Sequence, residues 1–398
     1  MFFQLSDTRT PLKPGDTVEI RGGGRIIIDR YVGSGGFALM YIAHREGSNR
    51  FLALKELFPR QLENLLIRRS DDNRILICDP ASGDAVQENA PIWQELRQYF
   101  EREAVLTQRA STVYDRLGRQ TAQNSPDVLR AEGPVQDLRG NTYLSIDTYQ
   151  GEPMRDLIER GFLRNTDGAV VSNHFLDEIL AILAETALRL SALHAEGLWH
   201  LDLSPDNIYV VPSAGRTRLT PYIIDYGSAY DQNDPAHCTD HRYTCNPFSA
   251  PEILALAQIH DPGCGYAPDA SSDTYALASI LFYAVTGEVF TSEHRMSCGR
   301  WQEQLRREYA AGLPSHQDAD SFAGALIGFF EQGLASAQRD RLRTPRELFD
   351  AIQTLRERYR QYGNLLPLVA RDELMSYMVL EKYPLYQYRS ADGHIHVL

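Results

Sequence analysis

The feature that most constrains this chain is a change of texture near residue 150. Before it, short apolar runs alternate with turn signals; beyond it, long stretches follow a helical period. Strands gathered ahead of helices point to an α+β fold. At 398 residues the chain is too long for one small domain and fits two lobes. No repeat, low-complexity tract or long linker interrupts it. We expect a lead segment over 1–24, a strand-rich lobe over 25–149 with an insertion at 56–90, a helical lobe over 150–364, and a tail at 365–398 packed on the helical lobe.

Residues Arg25 to Leu57 read "RIIIDRY", "VGSGGFA", "LMYIAH", a turn at "REGSN", then "FLALKEL". This predicts three antiparallel strands. The insertion holds a second hairpin, "LLIRRSDDNRILIC", with "SDDN" as its turn.

Pro91 then opens a helix in which Ile92, Leu96, Tyr99, Glu103 and Leu106 share one face. A carboxylate on an apolar stripe is costly without a partner, so Glu103 should meet a cation. Glu101 shares its face with Arg97, Gln94 and Gln108 and can stay in water. "NTYLSIDTYQG" reads as the last strand of the first lobe. Helices follow, notably Phe175 to His194 with a stop at Gly197, and Asp273 to Val285 ending at Gly287.

Three places carry chemistry. In "GSGGFALM", Gly33 and Gly35 with Ala38 make a glycine-rich turn between strands, where backbone N–H groups can approach phosphate oxygens. A hairpin needing positive φ explains the same glycines. A dinucleotide fingerprint fits less well, because that loop opens a helix. Lys55 falls by period-two alternation on the face of Phe51 and Ala53, opposite Leu52 and Leu54. It is either a snorkelling surface lysine or the partner of Glu103. Finally, "HLDLSPDN" and "IDYG" put Asp202, Asn207 and Asp225 at the ends of adjoining strands. Oxygen donors there suit magnesium, and one carboxylate can accept a hydroxyl proton. Turn capping by Asp202, Asp206 or Asn207 is the structural alternative.

Forty basic against fifty-three acidic side chains give a formal charge of −13. This argues against a grip on nucleic acid or anionic lipid, so a phosphate must be held locally. The longest mostly apolar run, Ala276 to Val285, is about half of what a bilayer crossing needs, and the start lacks the order of a signal peptide. No membrane span and a cytoplasmic setting are expected. Five widely spaced cysteines suit reduced thiols. The cluster His237, Cys238, Asp240, His241 and Cys245 matches no common zinc spacing. Arg339, Arg343 and Arg346 read as a solvated face, with Arg341 buried.

Taken in order, "GSGGFA", "LALK", "EREAVL", "HLDLSPDN", "IDYG", "SAPE" and "SSDTYALASILFYAVTG" resemble the signature set of the eukaryotic-like (Hanks-type) serine/threonine protein kinases. The "LALKELFPRQL" run, the insertion and "SPDN" resemble the bacterial branch. The resemblance implies a bilobal fold, a small antiparallel β-sheet lobe plus a larger helical lobe. It implies ATP and Mg2+, or Mn2+, as cofactors and a protein substrate. The nucleotide would be contacted by Gly33, Ser34, Gly35, Gly36, Ala38, Met40, Ala53 and Lys55. Ile146 would be the gatekeeper, and the backbone of Asp147 and Tyr149 would bond the adenine. Lys55 would pair with Glu103, Asp202 would be the base, and Asn207 and Asp225 would hold the metal. Glu252 would pair with Arg341, and Asp273 would brace the catalytic loop.

The chain departs from the pattern at Leu201, in place of an arginine that receives an activation-loop phosphate, and at Ser204, in place of a lysine. Cys245 stands where a threonine is usual, Ala38 where the third glycine would be, and Met40 where valine is usual. Two rivals follow: a small-molecule phosphotransferase of the aminoglycoside or choline kinase type, against which "SAPE", Asp273 and Arg341 speak, and a nucleotide-binding pseudokinase scaffold.

Overall fold

The computed structural model describes residues 9–48, 50–60, 66–79, 81–84, 91–120, 131–147, 151–164, 168, 170–212, 219–234, 246–259, 268–297, 299–309, 322–363, 387–389 and 395–397. Two compact units emerge, one from the described residues of 1–112, 127–150 and 384–398, the other from those of 113–126 and 151–383.

Alternation of apolar and polar residues drives the first unit's strands: β1 (Thr17–Glu19), β2 (Arg25–Ser34), β3 (Ala38–Arg45) and β4 (Phe51–Leu57). The predicted hairpin forms from β5 (Leu66–Arg69) and β6 (Ile75–Cys78), with Asn73 left-handed at φ 66 in its turn. Pro91 opens the long helix α1 (Pro91–Gln120), whose residues from Val113 on belong to the second unit. Strands β7 (Ala131–Gln136) and β8 (Thr142–Asp147) complete an antiparallel sheet ordered β1-β2-β3-β4-β8-β7. One face of the sheet, with Tyr41, Leu52, Leu54 and Tyr143, packs with Phe58, Ile75, Ile77, Trp93, Leu96 and Phe100 in one core.

In the second unit, β9 (Glu152–Pro153) leads into α2 (Met154–Gly161), and β10 (Phe162–Arg164) pairs with β11 (Val170–Asn173). Helix α3 (Leu176–Ala195) follows and stops where Gly197 turns left-handed at φ 75. Then come β12 (Leu198–Trp199), β13 (Ile208–Pro212), β14 (Leu219–Ile223) and β15 (Tyr230–Asp231). The helices continue with α4 (Pro251–Ile259), α5 (Ala270–Thr286), α6 (Ser292–Met296), α7 (Arg300–Tyr309), α8 (Phe322–Gly333) and α9 (Pro345–Gly363). A capping box at Asp269 starts α5, and left-handed Gly287 ends it. Nearly all of α5 is buried, as its apolar run requires. In the tail, β16 (Gln387–Arg389) pairs with β17 (Ile395–Val397); the rest of it lies outside the described residues. Among the described residues no helix is long and apolar enough to cross a membrane.

Candidate active site

Strand β4 alternates as its sequence dictates. Leu52, Leu54 and Glu56 point into the core, while Phe51, Ala53 and Lys55 line the other, half-covered face. On α1, Glu103 lies on the buried stripe with Leu96 and Leu106, and Glu101 is exposed. The two meet: Lys55 Nζ donates to Glu103 Oε1 at 2.6 Å. The ammonium also lies 5.9 Å from the centre of the Phe100 ring. Lys55 keeps 15% of its side chain exposed and Glu103 keeps 7%, so the pair is shielded but open on one side.

Register groups further residues around Lys55, because directly paired residues share a face. Met40 pairs with Lys55 on one side and with Gly33 on the other. Ala53 pairs with Ile42 and with Ile146; on the opposite face, Leu52 pairs with Asp147 at the end of β8. Tyr149, the other expected adenine contact, lies outside the described residues.

The loop after Ser34 corrects one expectation. Gly33, Gly35 and Gly36 are not left-handed, so a turn needing positive φ does not account for them. A Cβ built on any of the three meets no atom within 4 Å, so packing inside the chain does not demand glycine either.

Glu56, next to Lys55 but on the opposite face, was not singled out from sequence. It is fully buried and is held by Arg69 of the hairpin, whose Nη1 donates to Oε1 at 3.0 Å and whose Nη2 donates to Oε2. Tyr41 and Tyr143 donate their hydroxyls to the same carboxylate at 2.8 and 3.0 Å. Burial first, and then the Glu56 charge, push both phenols above the ordinary tyrosine range. The segment expected to be a mere insertion therefore contributes a fixed charge to the sheet's core.

In the second unit, β13 and β14 pair antiparallel, with Ile208 opposite Ile223. The pairing sets Asn207 and Asp225 at one end of the ribbon, where Ile224 N–H donates to Asn207 O at 3.0 Å. Asn207 Nδ2 donates to Asp202 O at 2.8 Å, so the three expected residues are brought together. Asp225 is exposed and left-handed at φ 64, a conformation that aspartate tolerates better than most residues.

Asn246 is the site residue missed from sequence. Its Nδ2 donates to Asp202 Oδ1 at 3.1 Å and to Leu203 O at 2.9 Å, while its Oδ1 accepts from Phe248 N–H. Cys245, expected in that neighbourhood, lies outside the described residues, as do His237, Cys238, Asp240 and His241. The only signal for Asn246 was its place six residues before Glu252. Ser204 is buried and accepts from Asn207 N–H at 3.3 Å.

One backbone feature shapes the loop that carries Asp202. Leu201 is left-handed at φ 62, a strained state for a branched side chain, and its side chain is buried. The strain is held by Asp273, whose Oδ1 accepts from Leu201 N–H and whose Oδ2 accepts from His200 N–H, each at 2.8 Å. Burial, the largest influence, would raise the Asp273 carboxyl; the bond from His194 together with the contributions of His200 outweighs it and holds the group below the usual carboxylate value. Tyr226, in "IDYG", is buried against His200, with its hydroxyl 2.8 Å from that of Tyr114. The Glu252–Arg341 pair also forms, Nη1 to Oε1 at 2.7 Å and Nη2 to Oε2 at 2.8 Å. Desolvation opposes ionisation of Glu252, but the guanidinium wins and keeps its pKa low.

The donor set suits a hard divalent cation. The Asn207 amide gives its N–H to Asp202 O, which leaves the carbonyl oxygen as its metal-binding atom, and Asp225 adds an exposed carboxylate. Oxygen donors of this kind are what a hard divalent cation takes. Among the described residues no cluster of three or more His, Cys, Asp or Glu side chains forms a self-sufficient metal cage.

Comparison with known proteins agrees with this geometry. The family model for the protein kinase domain matches residues 107–350, more than half of the chain. The chain is 22% identical over 331 residues to the serine/threonine-protein kinase PknA of Nostoc sp., covering 83% of this chain and 47% of that protein. It is 30% identical over 148 residues to PknA of Mycobacterium tuberculosis, covering 37% and 28%. To Sperm motility kinase 2B of Mus musculus it is 31% identical over 156 residues, covering 39% and 27%. The chain thus spans less than half the length of these curated relatives. Among solved structures, the PpkA-294 apo form superimposes with a TM-score of 0.53 at 19% identity, covering 86% of this chain and 99% of that one. A double mutant of the Mycobacterium tuberculosis PknI kinase domain gives 0.50 at 19% identity, covering 87% and 99%. The fold is the protein kinase fold, with a curled antiparallel sheet and a helical unit. The chain belongs to the protein kinase family. Members of that family use ATP and a divalent metal. The matched stretch holds Asp202, Asn207, Asp225 and Arg341 but begins after Lys55 and Glu103. Those two rest on their own contact and on the fold.

Proposed function

We propose that the chain transfers the γ-phosphoryl group of ATP to a serine or threonine hydroxyl of a protein substrate. The observation that carries this reading is the acidic corner of the second unit. There Asp202 is oriented by the Asn246 amide, beside two oxygen donors at the mouth of one strand pair. Phosphoryl transfer asks mainly for positioning and charge neutralisation, which these groups can supply despite a net charge of −13.

In this reading Asp202, oriented by the Asn246 amide, accepts the proton of the attacking hydroxyl. Lys55, oriented by Glu103, holds the α- and β-phosphates beneath the glycine-rich loop, with Gly33, Ser34, Gly35, Gly36, Ala38 and Met40 above them. Ala53 and Ile146, paired across β4 and β8, line the adenine face, and the backbone of Asp147 and Tyr149 bonds its edge. Asn207 and Asp225 would hold the cation, Mg2+ with Mn2+ as a substitute, which supplies neutralisation of phosphate oxygens. Ser204 brings no charge to the γ-phosphate, so this burden falls on the metal donors. Leu201 cannot receive a phosphate, so control by loop phosphorylation is not part of the proposal. Support for a protein substrate comes from the buried Glu252–Arg341 pair and the Asp273 brace.

The test is phosphopeptide mass spectrometry after incubation with Mg·ATP, with protein and hydroxylated small molecules as acceptors. We expect phosphoserine or phosphothreonine with the wild type and none with Asp202→Ala. Phosphate on small molecules alone would establish the metabolite-kinase rival. No transfer, with nucleotide still bound, would establish the pseudokinase.

A further inference from the structure

The lead segment before β1 is not a passive leader. Arg9 is 93% covered, at 7% exposure, and its guanidinium reaches into the glycine-rich loop. Nη2 donates to Gly35 O at 2.7 Å, and Nη1 donates to Phe58 O, with Ala38 O at 3.5 Å. Phe58 lies just past β4, three residues beyond Lys55. One planar fork therefore ties the loop between β2 and β3 to the end of the strand that carries the lysine.

Backbone bonds complete the tie. Phe58 N–H donates to Phe37 O at 3.0 Å, and Arg60 N–H donates to Gly36 O at 2.8 Å. In a trans peptide the carbonyl and the following N–H point in opposite directions. With the Gly35 carbonyl turned to Arg9 and the Gly36 carbonyl to Arg60, the N–H groups of Gly36 and Phe37 are turned away from those partners. The open space at Gly35 and Gly36 leaves an anion free to approach bare backbone.

Arg9 is itself held. The neighbouring Thr10 O accepts from Arg69 Nε at 2.8 Å, and Leu12 N–H donates to the Tyr41 hydroxyl at 3.2 Å. Both partners belong to the buried Glu56 cluster. The segment is thus anchored on one face of the sheet while its first described side chain fastens the loop.

We propose that Arg9 is a positioning residue for nucleotide, which pre-orients the glycine-rich loop by binding its carbonyls. The inference rests on the kinase reading of that loop. Loss of a charge-assisted bond of this kind should raise KM for ATP about tenfold or more while kcat changes little.

The full chain and its Arg9→Ala and Arg9→Lys variants can be compared by amide hydrogen exchange and by ATP kinetics. In Arg9→Ala we expect faster exchange at Gly35, Phe58 and Arg60, unchanged exchange in the 66–78 hairpin and in α5, and a raised KM. Arg9→Lys, which keeps one donor, should fall between. If Arg9→Ala does not fold, the lysine variant decides by the same readouts. Unchanged exchange at those three amides, or acceleration spread equally through the chain, would overturn the clamp, as would an unaltered KM. If the wild type turns over no ATP, the kinase reading falls, and the exchange pattern alone decides whether Arg9 holds the loop.

Discussion

Lys55 and Glu56 are adjacent in β4 and enter two opposite kinds of ion pair. On one face Lys55 meets Glu103 with part of its side chain still in water. On the other, Glu56 is sealed from solvent and takes bonds from Arg69, Tyr41 and Tyr143. Buried charges cost several kcal/mol unless their hydrogen bonds are filled, and the Glu56 site fills them. A site that must hand charge to a ligand cannot be closed in that way. The contrast is one of burial: the Glu56 pair is sealed from solvent, while the Lys55 pair, the candidate working one, keeps part of its side chains exposed.

Breaking the saturated side should have the largest effect on stability. Arg69→Met strands a buried carboxylate, and we expect a loss of about 3–5 kcal/mol in urea denaturation. Phosphorylation per folded molecule should persist. Lys55→Met should do the reverse, lowering transfer by about 10²–10³-fold, the size of effect seen when one preorganised charge-stabilising donor is removed. Its denaturation midpoint should fall less than that of Arg69→Met. If both variants lose activity and stability in the same proportion, the two faces are not functionally distinct.

The second unit's carboxylates sharpen the comparison through pH. Glu252 and Asp273 are held below their ordinary values of 4.5 and 3.8. The native state therefore binds fewer protons than the unfolded chain in acid. Their contribution is complete above the ordinary values and is lost as pH falls through the lower native ones. Urea midpoints should hold from pH 7 to about 5 and drop below about 4. Arg341→Gln should flatten that acid limb, and an unchanged limb would refute the assignment.

Smaller effects should follow from single neutral contacts. Asn246→Ala removes one donor from Asp202, and about a tenfold fall in kcat is expected with little change in KM for ATP. Glu101→Ala, on the exposed side of α1, should move stability by no more than about 0.5 kcal/mol. A large effect of Glu101→Ala would show that the stripe on α1 does not separate the two glutamates.

Much of the fold was legible because it is written in local periods. Alternation in "FLALKEL" placed Lys55 opposite Leu54, and the helical period of α1 separated Glu103 from Glu101. Turn chemistry found the Ser70 to Asn73 bend and the stops at Gly197 and Gly287. At the glycine loop the local rules left positive φ as an open explanation, which the backbone does not use. They also passed over Glu56, since a charged residue inside an apolar strand carries no mark of who will meet it.

The partners that the local rules missed are distant in sequence. Asn246 reaches Asp202 across 44 residues, and Tyr143 reaches Glu56 across 87. Arg9 reaches Gly35 across 26 residues.

By itself the sequence determined the order of elements, the faces of β4 and α1, and the ordered motifs that mark a protein kinase, because strand and helix periods and turn residues act over a few neighbours. Only the tertiary structure decided which charges are sealed from solvent and which keep some exposure, that Asn246 orients Asp202, and that the lead segment grips the glycine-rich loop. These depend on directional hydrogen bonds, which form only after the chain has closed its long loops and brought remote donors and acceptors within about 3 Å.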